Sequence, residues 1–297
     1  MMQNTEVMTG ARVVSGVRKG RIVRQLTLVI PVAVLLLLVL TAIFAPLLTP
    51  YSPTKVSLEE RLLPPSFVEG GSPDHLLGTD KIGRDILCRV IYGARISLSV
   101  ALLVIIITGS FGTVLGIIAG YPGGRTDAFL MRITDVTLSF PAILIAILLA
   151  VALGPSFWVV VMAISIISWA PYARLIRGEA LKLREEDFVA QARIIGASPV
   201  RIMVRHIFPN IINPLIIMMT LSVGIVILTE AALSYLGAGI PIETPSWGGM
   251  VSDGRNLIDT AWWISTFPGI AIGLVVLSGN FLGDWLRDKL DPRLRQI

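Results

Sequence analysis

The sequence predicts an all-α membrane protein with six transmembrane helices. Three observations carry this reading. Of 297 residues, 54% are hydrophobic and 15% are charged, against roughly a quarter charged in an ordinary soluble domain. The mean hydropathy is +0.78. The apolar residues are gathered into stretches of the length needed to cross a bilayer, about 20 residues of helix, with the charges collected between them. The net charge of +5 fits the lysine and arginine excess of cytoplasmic loops better than a nucleic-acid surface. The single cysteine, Cys88, excludes an internal disulfide and a multi-cysteine metal site. His75 and His206 fall in segments expected on opposite sides of the membrane. No histidine-based metal or catalytic centre is expected, and no cofactor.

Residues 1–25 carry Arg12, Arg18, Lys19, Arg21 and Arg24 and read as a cytoplasmic N-terminal tail. The first span is 26–48, Leu26–Leu48. A signal peptide would have a shorter core and a small-residue cleavage site; Ala45-Pro46-Leu47 is a poor one, so the segment reads as a retained anchor. Residues 49–94 form an external loop and a lead-in helix. Within it, Gly78-Thr79-Asp80-Lys81-Ile82-Gly83-Arg84-Asp85 precedes Leu87, Val90 and Ile91. Thr79 or Asp80 can cap a helix with that apolar stripe.

Residues 95–290 hold five further spans. The second is Ile96–Tyr121, where Gly109, Gly112, Gly116 and Gly120 make a small-residue stripe that allows close helix packing. Val136–Ala173 is free of charge but too long for one span, and Gly154-Pro155-Ser156 breaks it. The third helix is therefore expected from about Asp127 to that break, with Arg132 and Asp135 near its cytoplasmic end. The fourth is Phe157–Ala173, closed by Arg174 and Arg177. The fifth is Ile211–Tyr235 and contains Glu230. The sixth is Ala261–Leu282, and 291–297 is a cytoplasmic tail. Glu230 has two readings: an intramembrane polar site, since such groups are expensive and often functional, or a residue that pairs locally near the outer interface.

Between the fourth and fifth spans lies a polar island, 178–210. Lys182, Arg184, Arg193, Arg201 and Arg205 stand against Glu179, Glu185, Glu186 and Asp187. Phe188, Val189, Ala192 and Ile195 recur at helical spacing and form one apolar stripe. The acids suit a helix N-terminus, and Gly196 suits a left-handed close. Ser198-Pro199 then opens a second short helix as cap and first residue, with Arg201 and Arg205 on one face. Pro209 and Pro214 mark entry to the next span.

This island resembles the EAA loop of permease subunits of ATP-binding cassette (ABC) importers. Gly196 and Pro209 stand at the separation of that pattern, and Ala192 matches its second alanine. Ala190 stands in place of the glutamate, Gln191 of the first alanine, His206 of the isoleucine and Phe208 of the leucine. Other runs resemble the dipeptide/oligopeptide/nickel branch of the same family: Gly78–Asp85 followed by Tyr92-Gly93-Ala94-Arg95, Met131-Arg132…Asp135…Phe140-Pro141, Glu230–Gly237, Pro245-Ser246-Trp247-Gly248, and Gly283–Arg293.

The resemblance implies the type I ABC importer permease fold with cytoplasmic N- and C-termini, in a bacterial inner membrane. It implies a second homologous permease, cytoplasmic ATP-binding subunits, an extracytoplasmic solute-binding protein and the lipid bilayer as partners. It places ATPase coupling at Phe188, Val189, Ala192, Ile195, Gly196, Ala197, Ser198, Arg201, Arg205 and Pro209. Peptides are the cargo it implies, with nickel or a metal chelate as alternative. The chain has no GxxxxGK[ST] phosphate loop, so ATP chemistry is expected in a partner. A secondary transporter or channel would need intramembrane charges along a path, for which Glu230 is the one candidate. A membrane enzyme would need convergent reactive groups, and the sequence offers no such set.

Overall fold

The computed structural model describes residues 28–49, 51–241 and 243–290. The expected tails 1–25 and 291–297, and the first two residues of the first span, lie outside the described residues. Helices dominate. Among the described residues the one extended pairing is an isolated bridge between Thr79 and Asp85.

The expected first span holds α1, Leu28–Ile43, a shorter apolar helix among the described residues, followed after a break at Phe44 by α2, Ala45–Leu48. Pro46 supplies no N–H to the preceding turn. The chain then makes a long excursion with one 3-10 turn, Leu58–Glu60, and enters α3, Ile86–Gly120. The lead-in helix and the second span are thus one unbroken helix of 35 residues. Its cap is Asp85, whose carboxylate accepts from the Cys88 N–H at 2.7 Å. This corrects the expected caps Thr79 and Asp80, which instead shape the turn before it.

The third span differs most from expectation. It is two helices, α4 (Gly124–Ser139) and α5 (Ala142–Leu153), bent by 81°. The cause is Pro141, which pushes the residue before it out of the helical region; Phe140 sits at φ −93°, ψ 140°. The fourth span, α6, runs Phe157–Leu183. It passes Pro171 and continues through Arg174 and Arg177 into the island, so the island begins as an extension of the span.

The rest of the island is α7 (Asp187–Ile194) and α8 (Pro199–Ile202), then a π-helical turn, Met203–Ile207, leading directly into α9, Phe208–Tyr235. A short helix α10, Trp247–Gly254, precedes the last span α11, Trp263–Leu290. By length and composition α3, α6, the run Pro199–Tyr235 and α11 can cross a membrane, and the bent pair α4–α5 makes a fifth candidate.

Three apolar layers among the described residues organise the packing. The central one joins Val100 and Val104 of α3, Val160 and Ile164 of α6, Val226 and Ile227 of α9, and Val275 of α11. At one pole Ile86, Met250, Trp263 and Ile264 pack together. At the other, Ile117, Ile176, Ile207 and Ile211 pack with the island's Val189, Ala192 and Ile202. The seam that sets this spacing is α3 against α6. A Cβ added at Gly116 would lie 2.7 Å from the Ala173 carbonyl oxygen and 2.8 Å from Ile176 Cβ. One at Gly112 would lie 2.6 Å from the Trp169 carbonyl oxygen.

Gly116→Val is therefore expected to lower stability by about 1–3 kcal/mol through overpacking. Thermal unfolding in detergent, followed by size-exclusion fluorescence, reads it. Gly178→Ala, where an added Cβ meets nothing within 4 Å, is the matched control and should leave the transition unchanged or raised.

Candidate functional site

The island is a closed knuckle seated on the ends of three spans. Helix α7 ends in a Schellman turn. Gly196 at φ +79° lets its N–H bond the Arg193 carbonyl and the Ala197 N–H bond the Ala192 carbonyl, both at 3.0 Å. Ser198 Oγ accepts from the Arg201 N–H and caps α8, with Pro199 at its first position. Both features follow the sequence reading.

The apolar stripe does not form one free face, and this is a correction. Val189 and Ala192 are buried against Ile117, Ile176, Ala180 and Ile211, so they anchor the knuckle to its own spans. Phe188 is only half covered and stacks near the His206 ring, with centroids 6.4 Å apart. Ile195 is the residue that caps the helix C-terminus, and the turn throws it outward. It and Ile194 are each 83% exposed. The outward apolar ridge is thus Phe188, Ile194 and Ile195, continued by Val200 and Val204. Ile194 was not in the stripe read from the sequence because it lies roughly 120° from Phe188 on the helix, and Val200 and Val204 were not because they follow the Gly196 turn. Arg201, Arg205 and Pro209 are exposed beside the ridge, Ser198 is exposed at the cap, and Ala197 is half-buried under it.

Polar contacts fix the knuckle's orientation. Arg193 lies over the Tyr121 ring at 5.3 Å and donates to the Arg184 carbonyl. Arg184 Nη1 in turn reaches the Gly120 carbonyl at 3.4 Å. The π turn explains how α8 joins α9. Ile202 and Ile207 are both buried although five residues apart. A regular α-helix would turn them to different faces, whereas i→i+5 bonding keeps them close to one face. The Phe208 N–H bonds the Met203 carbonyl in that pattern. Beside it an apolar cleft of about 560 Å³ opens between α3 and α9, lined by Thr113, Ile117, Met203, Val204, Phe208 and Met219.

The opposite pole is built on ions. Asp80 Oδ2 accepts from Arg84 Nε at 2.6 Å and from Arg89 Nη1 at 3.1 Å, all three nearly fully buried. Asp253 of α10 meets Arg84 at 3.3 Å, Arg89 at 3.6 Å and Lys81 at 3.0 Å. Asp80 Oδ1 also accepts from the Ile82 and Arg84 N–H groups. His75 donates from Nδ1 to Asp85 at 2.8 Å, with Glu60 at 3.6 Å from its other nitrogen. The Glu60 carboxyl is held below the usual carboxylate range, first by a hydrogen bond from Ser57 and then by the charge of His75. The expected lead-in charges are thus a structural clasp between the loop before α3, α3 itself and α10.

Glu230 is 1% exposed, which removes it from the water interface. Its carboxylate accepts from Ser234 at 2.8 Å and from Ser97 of α3 at 3.5 Å. Ser97 Oγ also accepts from the Trp247 N–H at 3.2 Å. Glu230 therefore ties α9 to α3 and, through Ser97, to the start of α10, away from the interface position of the second sequence reading.

Comparison with known proteins follows this geometry. Residues 112–296 match the family model described as the binding-protein-dependent transport system inner membrane component. Residues 23–65 match the N-terminal transmembrane domain of oligopeptide transport permease C. The chain is 42% identical over 261 residues to the di/tripeptide transport system permease protein DppC of Pseudomonas aeruginosa, covering 88% of this chain and 86% of that one. It is 41% identical over 262 residues to the dipeptide transport system permease protein DppC of Haemophilus influenzae, covering 88% and 89%. With the Bacillus subtilis protein of the same name it shares 39% over 264 residues, covering 89% and 81%.

Asp80→Asn leaves two buried arginines facing the single carboxylate of Asp253, and is expected to cost about 3–5 kcal/mol. Lys81→Ala removes a side chain that is 45% exposed and should cost less than about 1 kcal/mol. Thermal unfolding of the two variants side by side checks the contrast.

Proposed function

The chain belongs to the family of binding-protein-dependent inner membrane transport components, and from that membership we propose that it is the permease subunit of an ATP-driven peptide importer. It is a multi-pass protein of the bacterial inner membrane, and a transport permease rather than an enzyme itself. The peptide cargo follows relatives named for dipeptide and di/tripeptide transport. In this reading the chain crosses the membrane six times with both termini in the cytoplasm. A second permease completes the pathway, cytoplasmic subunits hydrolyse ATP, and an extracytoplasmic binding protein delivers the peptide.

The observation that carries the coupling role is the outward ridge of the knuckle. Ile194 and Ile195 project from a turn whose inner face is already satisfied by α3, α6 and α9. An exposed apolar ridge flanked by Arg201 and Arg205, on a rigidly seated element, is what a docking subunit requires. Val189 and Ala192 then act as the seat, passing the position of the ridge to the span ends. Ala197, Ser198, Gly196 and Pro209 hold its shape. Glu230 in this reading is architectural.

The decisive measurement is purification of the tagged chain in mild detergent, with mass spectrometry and an ATPase assay on what accompanies it. A second permease and an ATP-binding subunit are expected. A chain that purifies alone and without ATPase activity, even with its genomic neighbours co-expressed, overturns the reading in favour of a secondary transporter.

Replacing both Ile194 and Ile195 with Ser is expected to weaken capture of the ATP-binding subunit about tenfold or more, since exposed anchors dominate such contacts, while leaving expression intact. Gly196→Asp meets no neighbour within 4 Å, so its effect is confined to the left-handed backbone, about 1 kcal/mol, and to the aim of the ridge. Transport should fall in both variants, more steeply in the first. Normal transport at normal expression in both excludes the knuckle as the coupling element.

A further inference from the structure

Helix α4 has two faces of opposite character. At about 100° per residue, Thr134, Asp127 and Leu130 share the side turned to the bundle. Thr134 is fully buried there, and Asp127 and Leu130 are partly covered. Phe129, Ile133 and Val136 fall within about 60° of one another on the far side, and all three are exposed. Among the described residues, none buries them.

The charges divide in the same way. Asp127 is clamped by Arg177 of α6 through two bonds of 2.5 and 2.6 Å. Asp135 takes Arg174 of α6 at 2.6 Å. Both acids of α4 are therefore occupied within the chain. Arg125 and Arg132 lie along the edge of the apolar stripe, exposed, and neither has an ion pair among the described residues. What α4 presents outward is an apolar stripe edged by two uncompensated cations.

Its direction is set by two features. The first is the 81° bend from α5. The second is the clamp. Asp127 and Asp135 are eight residues apart on α4, about 12 Å of rise, yet they reach arginines only three residues apart on α6, about 4.5 Å. A helix crossing α6 steeply does this; one running along it does not. Since α6 is a span, α4 lies across the membrane normal at the pole that carries the knuckle.

We propose that α4 is an interfacial helix seated on the leaflet surface at the knuckle's pole, with Phe129, Ile133 and Val136 in the acyl boundary and Arg125 and Arg132 on anionic lipid phosphates. Charge complementarity selects the lipid surface: the free charges beside the stripe are all positive, as on amphipathic helices that bind anionic bilayers. The proposal rests on the chain being a multi-pass membrane protein and is independent of the coupling role of residues 188–209. It makes the third segment unequal to the other spans, since α5 has 12 residues against the roughly 20 of a full helical crossing.

The test uses the assembled transporter, with its partner subunits, in nanodiscs. An environment-sensitive fluorophore is placed on Val136→Cys, Cys88 being buried. Quenching is compared between brominated phosphatidylglycerol and brominated phosphatidylcholine, in an otherwise phosphatidylcholine bilayer. Both lipids should quench, with bromines near the headgroup end of the chain more effective than bromines at its tip. Phosphatidylglycerol should act at a mole fraction lower by roughly fivefold per arginine. Combining Arg125→Gln with Arg132→Gln should abolish that preference while retaining quenching by phosphatidylcholine. Four outcomes overturn the proposal: no quenching by either lipid, which means the second permease covers the stripe; strongest quenching from the chain tip, which makes α4 part of the span; equal quenching by the two lipids in the unsubstituted helix; and a preference that survives both substitutions.

Discussion

Lipid tails are as apolar as leucine, so no hydrophobic drive brings two helices together inside a bilayer. Here α3 and α6 meet by backbone approach instead, because Gly112, Gly116 and Gly120 leave room for the α6 main chain and side chains. The consequences reach both poles. At one, Ile117 of α3 and Ile176 and Ala180 of α6 come close enough to form a floor, and Val189 and Ala192 of the knuckle rest on it. At the other, Gly93 of α3 admits the Trp247 ring, whose Nε1–H donates to the Val90 carbonyl at 2.9 Å. Knuckle and outer helix are thus positioned by one helix pair.

The poles then use opposite chemistry, for a physical reason. The knuckle packs by apolar contact on its inner side, which leaves its outer ridge available. The far pole buries two arginines against two aspartates and adds a polar tie from Glu230 through Ser97 to Trp247. Buried ion pairs contribute little net stability against apolar packing, but they penalise any arrangement that leaves one partner unpaired. The clasp therefore fixes the loop before α3, α3 and α10 in one arrangement. Trp263 adds to it by donating to the Thr79 carbonyl at 3.0 Å.

Much of this was legible in the sequence. Glycine and proline signals located the island's turn, its cap and the break at Gly154. The small-residue stripe located the α3 seam. What escaped was decided by distant partners. Pro141 was noted only within a run of similar residues, and hydropathy is silent about an 81° bend. Asp80 looked like a cap from its local neighbours, but it pairs with Arg84 and Arg89, and the clasp they form is completed by Asp253, 169 positions from Arg84. The stripe at Phe188–Ile195 was drawn on a straight helix, while the backbone turns at Gly196 and divides it into a seat and a ridge. Glu230 could not be assigned from sequence because one of its two hydroxyl partners, Ser97, lies 133 positions away on another helix.

The division of the knuckle has a mechanical meaning once α8, the π turn and α9 are taken together. They form one continuous helical run, Pro199–Tyr235, of 37 residues, about 55 Å at 1.5 Å per residue. One end carries Val200 and Val204 beside the outward ridge, and the other carries Glu230 and Ser234 beneath α10. Regular hydrogen bonding along it is interrupted at the π turn Met203–Ile207 with Pro209 just after it, and again at Pro214. Ile207, at the end of the π turn, and Ile211, between it and Pro214, are fully buried on the floor shared with Val189. A push on the ridge thus meets a seat that resists translation and a helix that yields only at these two places. Tilting of α9 about that buried pair is the motion this construction allows most readily, and it would alter the width of the apolar cleft between α3 and α9 directly above the knuckle.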